Sequence, residues 1–359
     1  MIFGGDMGYK KNEPNISFAE LSLMSSMKHN RTLKLLEEIG NVIEWPKVEV
    51  LLMEHYTVGT SKEGADAYPP MMLLRALLLQ KWFKVKSDPE LENQINDRIS
   101  FKKFLCLSLD KPSPDHSTFC RFRDRLSKNA MMELNSAILQ QLADKGLSIT
   151  EGVAIDARLV RSISHPISKE EIGKLKEKKA TPEGKLDKTG KSLKYSRDHE
   201  SDWTVKNNKP HYGLKEHAAV DTTNGFVLAT ELTPASVNDS IYLPYCVAAS
   251  CHTEEQIKKV YADKGYYGEP NSQFLHMNRI EDGIMGKDTK STKLTDYGKE
   301  RNKKISKLRY IVEQYFGISH LHSDAFQARF PRLNKNSIDA MFRQMAFNLF
   351  QGTKILRAV

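Results

Sequence analysis

The first part of the chain, residues 18–145, repeats its apolar positions at intervals of three and four. That spacing is the period of an amphipathic helix. The stretch YPPMMLLRALLLQKWF opens with two prolines, which suit a first helical turn, and then places its leucines on one face. Asp88 and Asp115 stand where N-caps of two further helices are expected. The pattern predicts an all-helical region that stops at Gly146.

After Gly146 the period of the apolar positions changes to that of strands. GVAIDARLV predicts a strand through Val153 to Ile155, and two alternating runs joined by Asn224-Gly225 predict a hairpin. VYADKGY and GIMGK predict two more strands, and ISKLRYIVEQYFGIS and SIDAMFRQMAFNLFQGTKIL predict two closing helices. A helical front followed by strands and helices indicates two domains, the second α+β or α/β.

The resulting division is a flexible arm at 1–16, a helical N-terminal domain at 17–147 and a second domain at 148–359. Inside the second domain, the lysine-rich segment 168–209 has few apolar residues and predicts a loop. The segment is either a solvated loop or an arm that contacts phosphates, and the two interpretations are compatible.

Composition narrows the classes of function. The formal net charge of +9 over 359 residues favours polyanionic partners. Four scattered cysteines are too few for a disulfide framework in a chain of this length. No apolar run reaches membrane-spanning length and the N-terminus lacks the apolar stretch of a signal peptide, so we expect a cytoplasmic protein with no membrane partner.

Two aspartates carry the first chemical signal. Asp156 and Asp263 each follow a short apolar strand, and strand ends are the usual place for sites in α/β sheets. Two carboxylates brought together repel each other, so one takes up a proton or a cation lies between them. Ligation by oxygen atoms alone selects hard cations such as Mg²⁺.

A third carboxylate belongs to the helix SKLRYIVEQYFG. Its core stripe is predicted to consist of Ile305, Leu308, Val312 and Tyr315. Arg309, Glu313 and His320 fall on a flanking row of the same helix. Glu313 is either the partner of an ion pair with Arg309 and nothing more, or the third oxygen ligand. Together the three carboxylates predict a site for two cations that act on a phosphodiester.

At these residues the chain resembles the DDE transposases of bacterial insertion sequences, specifically the fifth insertion-sequence family. AIDARLV, YADKGYYG and RYIVEQYFG occur in the family's order, and the helical front resembles its N-terminal DNA-binding domain. Ser306 and His320 stand where the family signature has tyrosine and lysine, while Arg309 and Glu313 match it. The resemblance implies a ribonuclease-H-like mixed-sheet catalytic domain in which Asp156, Asp263 and Glu313 are catalytic and hold two Mg²⁺ ions, with Mn²⁺ as a substitute.

Further candidate residues are basic or acidic side chains elsewhere in the chain. Lys215 and His217 alternate onto one face of the first hairpin strand, where similar transposases carry basic residues; a polar outer face is the alternative. Arg121 and Arg125 lie on one face of a helix and are candidate phosphate contacts, as are Arg309 and His320. Asp239 is an accessory acid or a helix cap.

The function implied is that of an insertion-sequence transposase. Such an enzyme binds the terminal inverted repeats of its element, cleaves a phosphodiester with the help of Mg²⁺ and transfers the freed strand to target DNA. Double-stranded DNA and a second copy of the chain, in a homodimeric synaptic complex, are the implied partners, and the bacterial nucleoid is the implied location. A non-transposing DNA-binding regulator derived from a transposase and a ribonuclease-H-like DNA nuclease are the alternatives.

Overall fold

The structure is a computed structural model. It describes residues 8–10, 25, 29–61, 65–147, 152–164, 166, 168, 170, 171, 173, 174, 177, 198, 200–251, 257–288 and 293–358. Most of the arm expected at residues 1–16, and residues 178–197 of the lysine-rich segment, lie outside this set.

Within the described residues, the front of the chain is helical, as predicted. The helices are α1 Arg31–Asn41, α2 Trp45–His55, α3 Pro70–Trp82, α4 Asp88–Asp97, α5 Ile99–Phe104, α6 His116–Arg125 and α7 Lys128–Asp144. Helix α3 is buried over nearly its whole length, because its apolar residues continue round the helix beyond the one face expected. Gly146 ends α7 with a φ of +84°, the left-handed conformation that glycine adopts without strain.

Two helix starts test the predicted caps. Asp115 caps α6 as predicted, since its carboxylate accepts a hydrogen bond from the N–H of Thr118 at 3.0 Å. The prediction for Asp88 was wrong: Ser87 is the N-cap of α4. Asp88 instead accepts two hydrogen bonds from the guanidinium of Arg123, and that pairing uses its carboxylate oxygens.

The described residues of the second half of the chain add a sheet and four helices. The strands are β1 Val153–Arg161, β2 Asp202–Lys206, β3 Lys209–Asp221, β4 Val227–Pro234, β5 Lys259–Ala262 and β6 Glu281–Ile284. The helices are α8 Asp239–Ala249, α9 Glu269–Met277, α10 Asp296–Ser323 and α11 Leu333–Ala358.

The strands form one mixed sheet in the order β4-β3-β1-β5-β6, and β2 pairs with the first residues of β3 on the same edge as β4. β3 runs antiparallel to β1, whereas β5 and β6 run parallel to it. An antiparallel hairpin beside parallel strands that are connected through helices is the mixed sheet of a ribonuclease-H-like domain. The predicted fold class is confirmed.

Strand β1 is longer than predicted. Residues 157–161 continue the antiparallel ladder with β3, so Asp156 lies inside the strand and not at its end. The prediction that β1 ends at Asp156 was therefore wrong. The prediction that a strand ends at Asp263 holds, because β5 ends at Ala262, immediately before it. The pairing partner β3 is long enough to extend β1 past the carboxylate.

The lysine-rich segment also departs from its prediction at its end. Residues 202–206 form β2, which pairs with β3 from Lys209 to Gly213. Asn207 and Asn208 make the turn, with φ values of 51° and 59°. A loop was expected through residue 209, but two consecutive left-handed asparagines are a signal of a two-residue hairpin.

Helix α10 lies against the sheet and α11 lies between the sheet and the front helices. Ile305, Val312 and Tyr315 form the buried stripe of α10, but Leu308 is 42% exposed and does not belong to it. Helix α11 packs against β4, α7 and α3. One hydrophobic cluster consequently runs from α1 and α3 into β1 and β5, and the division at residue 147 remains a proposal.

Every described helix is too short or too polar to cross a lipid bilayer.

Candidate active site

Asp156 and Asp263 are neighbours through the register of two parallel strands. The last registered pair of β1 and β5 is Ile155 with Ala262, and each aspartate is the residue that follows its member of this pair in the chain. Asp156 accepts a hydrogen bond from the N–H of Ala157 at 2.8 Å, and Asp263 accepts one from the N–H of Gly265 at 2.6 Å. Continuation of the register places the two aspartates side by side, where β5 ends beside β1.

Gly265 fits tightly against Asp263. A Cβ atom at position 265 would lie 2.8 Å from Asp263 Oδ1, closer than side-chain carbon atoms approach in proteins. The glycine therefore lets the backbone N–H reach the carboxylate and hold it.

Glu313 joins this pair through Arg309. The guanidinium donates from Nη1 to Asp156 Oδ2 at 2.5 Å and from Nη2 to Glu313 Oε1 at 2.9 Å. Arg309 is 14% exposed and Asp156 is 19% exposed, whereas Glu313 is half exposed. The ion pair expected between Arg309 and Glu313 is present, and Asp156 is bound to the same arginine.

The environment of Asp156 disfavours its charge. Burial raises the pKa of Asp156 to about 6, the Arg309 cation opposes that rise, and the negative charge of Asp263 adds to it. Asp156 is thus a carboxylate with too little positive charge around it, even with Arg309 in contact. A cation placed between Asp156 and Asp263 would relieve this deficit.

The side chains do not form a finished metal site as they stand. Within the part of the chain that the structure describes, no three His, Cys, Asp or Glu side chains converge closely enough to hold a metal ion. The oxygen donors nevertheless suit a hard divalent cation, and the guanidinium of Arg309 already places positive charge between Asp156 and Glu313. The donor set fits such a cation once Arg309 gives up its contacts.

A buried carboxylate that sequence reasoning missed ties the strand of Asp156 to the helix of Glu313. Glu216 on β3 is fully buried and accepts hydrogen bonds from Arg158 Nη2 at 2.7 Å and from Tyr315 Oη at 3.1 Å. Arg158 also donates to the backbone carbonyl of Phe316 on α10 at 3.0 Å. Arg158 lies two residues after Asp156, and Tyr315 two residues after Glu313.

Lys215 and His217 lie beneath α8. Lys215 Nζ donates to the carbonyl of Val237 at 2.6 Å and pairs with Asp239 Oδ1 at 2.7 Å. His217 is fully buried, its ring is stacked on Tyr242 with centroids 4.7 Å apart, and burial lowers its pKa to about 4. A neutral ring that is closed off from solvent has no route to a phosphate, so His217 is no DNA contact in this conformation.

Asp239 is neither the cap nor a free acid. Asn238 caps α8 by accepting from the N–H of Ser240, and Asp239 is the first helical residue. Its partner is Lys215, on the face of β3 that α8 covers.

The remaining basic candidates face solvent. Arg121 and Arg125 are exposed on α6, while Arg123 between them is buried against Asp88. His320 is exposed two turns beyond Glu313, with its ring 4.8 Å from that of Phe326. These three side chains are accessible to a ligand as large as DNA.

Two family models match the chain. A family model described as a transposase domain matches residues 22–125, and a family model described as a transposase DDE domain matches residues 149–349. A solved structure, the cryo-EM synaptic complex of piggyBac transposase with hairpin DNA, is 12% identical with a TM-score of 0.41. The alignment covers 90% of this chain and 74% of the piggyBac transposase chain, and the likeness is too distant to support a conclusion about function.

Proposed function

The chain belongs to the transposase DDE domain family, whose model covers more than half of it, and on that premise we propose that it is the transposase of a bacterial insertion sequence with Asp156, Asp263 and Glu313 as its catalytic carboxylates. As a DDE transposase it is an enzyme that acts on DNA and depends on divalent metal. The observation that supports the choice of residues is the register of Asp156 beside Asp263, with Arg309 joining Glu313 to them.

The proposed metal is Mg²⁺, with Mn²⁺ as a substitute, and Asp156, Asp263 and Glu313 would hold two ions. Bound there, the ions would supply activation of a hydroxyl nucleophile and neutralisation of charge on the scissile phosphate. The chain itself contributes a backbone N–H contact to each of Asp156 and Asp263, which orients both carboxylates where β5 ends beside β1. Arg309 keeps Asp156 and Glu313 together while they carry no other cation.

The DNA substrates in this proposal are the terminal inverted repeats of the element and a target duplex. Arg121, Arg125 and His320 are the proposed phosphate contacts because they are basic or polar and exposed. A homodimer is proposed because two element ends must be paired, and the bacterial nucleoid is the proposed location because the substrate is chromosomal DNA.

The test is cleavage and strand transfer by the purified full chain on DNA that carries the repeats flanking its own gene. Asp156→Asn and Asp263→Asn should reduce Mg²⁺-dependent cleavage to background while they leave binding of the repeats intact. Asp296→Asn is the matched control, since Asp296 is almost fully exposed on the first turn of α10. Cleavage at the wild-type rate by either active-site variant would overturn the assignment.

The same assay separates the alternatives. Cleavage by the wild type without strand transfer identifies a nuclease. Binding of the repeats without any cleavage identifies a regulator.

A further inference from the structure

A second cluster of charge extends from the Arg158–Glu216 pair of the sheet to the place where the front helices meet α11. Ion pairs within hydrogen-bonding or close electrostatic distance join five basic and three acidic side chains, namely Lys81, Arg123, Arg158, Arg329 and Arg343 with Asp88, Glu216 and Asp339. All eight side chains are less than one-fifth exposed.

Each acid in this cluster is shared. Lys81 Nζ donates to Asp339 Oδ1, and the guanidinium nitrogens of Arg329 and Arg343 lie 3.8 and 3.7 Å from the same carboxylate. Asp88 is shared in the same way by Arg123 and Arg329. Within the described part of the chain, the buried cations of the cluster therefore outnumber its buried anions.

An excess of buried positive charge is unfavourable, because each cation has given up hydration that a shared carboxylate replaces only in part. The pKa of Lys81 reflects this excess of positive charge. Burial lowers the pKa of Lys81 to about 7, Asp339 opposes the fall, and Arg329 and Arg343 add to it. A further negative charge at this place would be held by cations that are already dehydrated and positioned.

A cavity of about 250 Å³ opens at this place. Lys81, Arg329, Arg343 and Asp339 line its inner wall, and the exposed Lys86 lines it as well. This volume exceeds several-fold the ~30 Å³ share of a water molecule, so the cavity is large enough for a tetrahedral oxyanion together with water.

An ion pair crosses the rim of the cavity. Lys84 and Asp324 both line it and form an ion pair at 2.9 Å. Both residues have a positive φ, 53° and 48°, a conformation that side chains other than glycine rarely adopt. The ion pair therefore joins two uncommon backbone turns across the opening.

We propose that this cavity is a binding site for an oxyanion of the phosphate class. Guanidinium groups match such an anion in shape and hydrogen-bonding geometry, and Arg329 and Arg343 supply two of them. Asp156, Asp263 and Glu313 do not line the cavity, so the site is separate from the candidate active site. The anion comes either from free phosphate or from the backbone of bound DNA.

The first measurement is thermal unfolding of the full chain in inorganic phosphate and in chloride at equal ionic strength. Saturating phosphate should raise the Tm of the wild type by about 2 to 4 °C over chloride. Because phosphate also stabilises proteins through exclusion from their surface, the decisive quantity is the difference between variants.

Arg329→Gln and Lys86→Ala test the site from inside and outside. Arg329→Gln leaves Asp88 with Arg123 and Asp339 with Lys81, so each acid keeps a cation, and the phosphate-dependent rise in Tm should disappear. Lys86→Ala changes only an exposed lysine and should reduce the rise by at least half. Lys47→Ala, an exposed lysine that does not line the cavity, should keep the full rise.

An equal phosphate response in wild type, Lys86→Ala and Lys47→Ala would overturn the proposal, even if Arg329→Gln failed to fold. Where the site is confirmed, repeating the titration with a DNA duplex already bound identifies the source. Loss of the phosphate response on DNA binding assigns the cavity to a backbone phosphate, and an unchanged response assigns it to the free anion.

Discussion

Asp156 and Asp263 occupy equivalent positions on two parallel strands, each one residue beyond the last registered pair, Ile155 with Ala262. Strand β1 continues past Asp156, whereas β5 stops before Asp263. The pairing of β1 with β3 on its other side holds Asp156 in regular backbone, and Gly265 holds Asp263 through its N–H. Two acids separated by more than one hundred residues are in this way brought side by side by the backbone of two neighbouring strands. Glu313 differs, since it reaches the pair only through a side chain, that of Arg309.

Arg309 competes with a divalent cation for the oxygens of Asp156 and Glu313. We expect Arg309→Gln to lower the Mg²⁺ concentration for half-maximal cleavage by up to about fivefold, because an ion pair worth about 1 kcal/mol no longer has to be displaced. The assay belongs at pH 8, since loss of Arg309 removes the cation that opposes the raised pKa of Asp156. Arg301→Gln, on the same helix and paired with Asp282, is the control and should leave the Mg²⁺ dependence unchanged. An unchanged or higher Mg²⁺ requirement in Arg309→Gln would contradict the competition.

Glu216 should matter to stability far more than an ordinary carboxylate. Glu216→Gln leaves Arg158 and Arg343 without their shared buried anion, so we expect a loss of about 3–5 kcal/mol in the free energy of unfolding, measured with urea. Glu281→Gln is the control, because Glu281 is two-thirds exposed in its pair with Lys259 and should cost less than about 1 kcal/mol. Equal losses in the two variants would show that the buried ion pairs of Glu216 contribute no more to the free energy of unfolding than an exposed ion pair does.

Periodicity predicted the helices, the hairpin at Asn224-Gly225 and the strand before Asp263, because each depends on a local pattern. It misplaced the end of β1, because the pattern of Ala157 to Val160 is compatible both with a loop after the strand and with more strand. Pairing with β3, which the local pattern does not show, extends the strand. It missed β2 for a related reason, because that strand is short, mostly exposed and recognisable chiefly by its turn at Asn207-Asn208.

The candidate site shows the same limit. The sequence showed that each of the three acids lies on or next to a core element, and it showed the spacing of Arg309 and Glu313 on one helix. The contact of Arg309 with Asp156 was not, because 153 residues separate them. Nor did the alternation of Lys215 and His217 show which face of β3 would be covered by α8.

Arg121 and Arg125 provide a test of DNA binding that is independent of catalysis. Replacement of both by alanine should weaken binding to the repeats and reduce the slope of log affinity against log salt by about one unit for each lost phosphate contact. The folded structure should survive because both side chains are exposed. Arg31→Ala, an exposed arginine at the start of α1, serves as the control. A salt slope equal to that of the wild type would show that Arg121 and Arg125 on α6 make no phosphate contacts.

His217 should make the protein less stable as the pH falls below 6.5. Its ring is buried against Tyr242, Nε2 lies 3.0 Å from Thr233 Oγ1, and its pKa falls to about 4 from an ordinary value of 6.5. Between these two values the unfolded chain binds more protons than the folded one, so the free energy of unfolding should fall by about 3 kcal/mol as the pH decreases from 6.5 to 4. His217→Gln should flatten that part of the pH profile in urea unfolding, whereas His276→Gln, which changes an exposed histidine, should reproduce the wild-type slope. Parallel profiles for the wild type and His217→Gln would mean that His217 takes up its proton in the folded protein as readily as in the unfolded one.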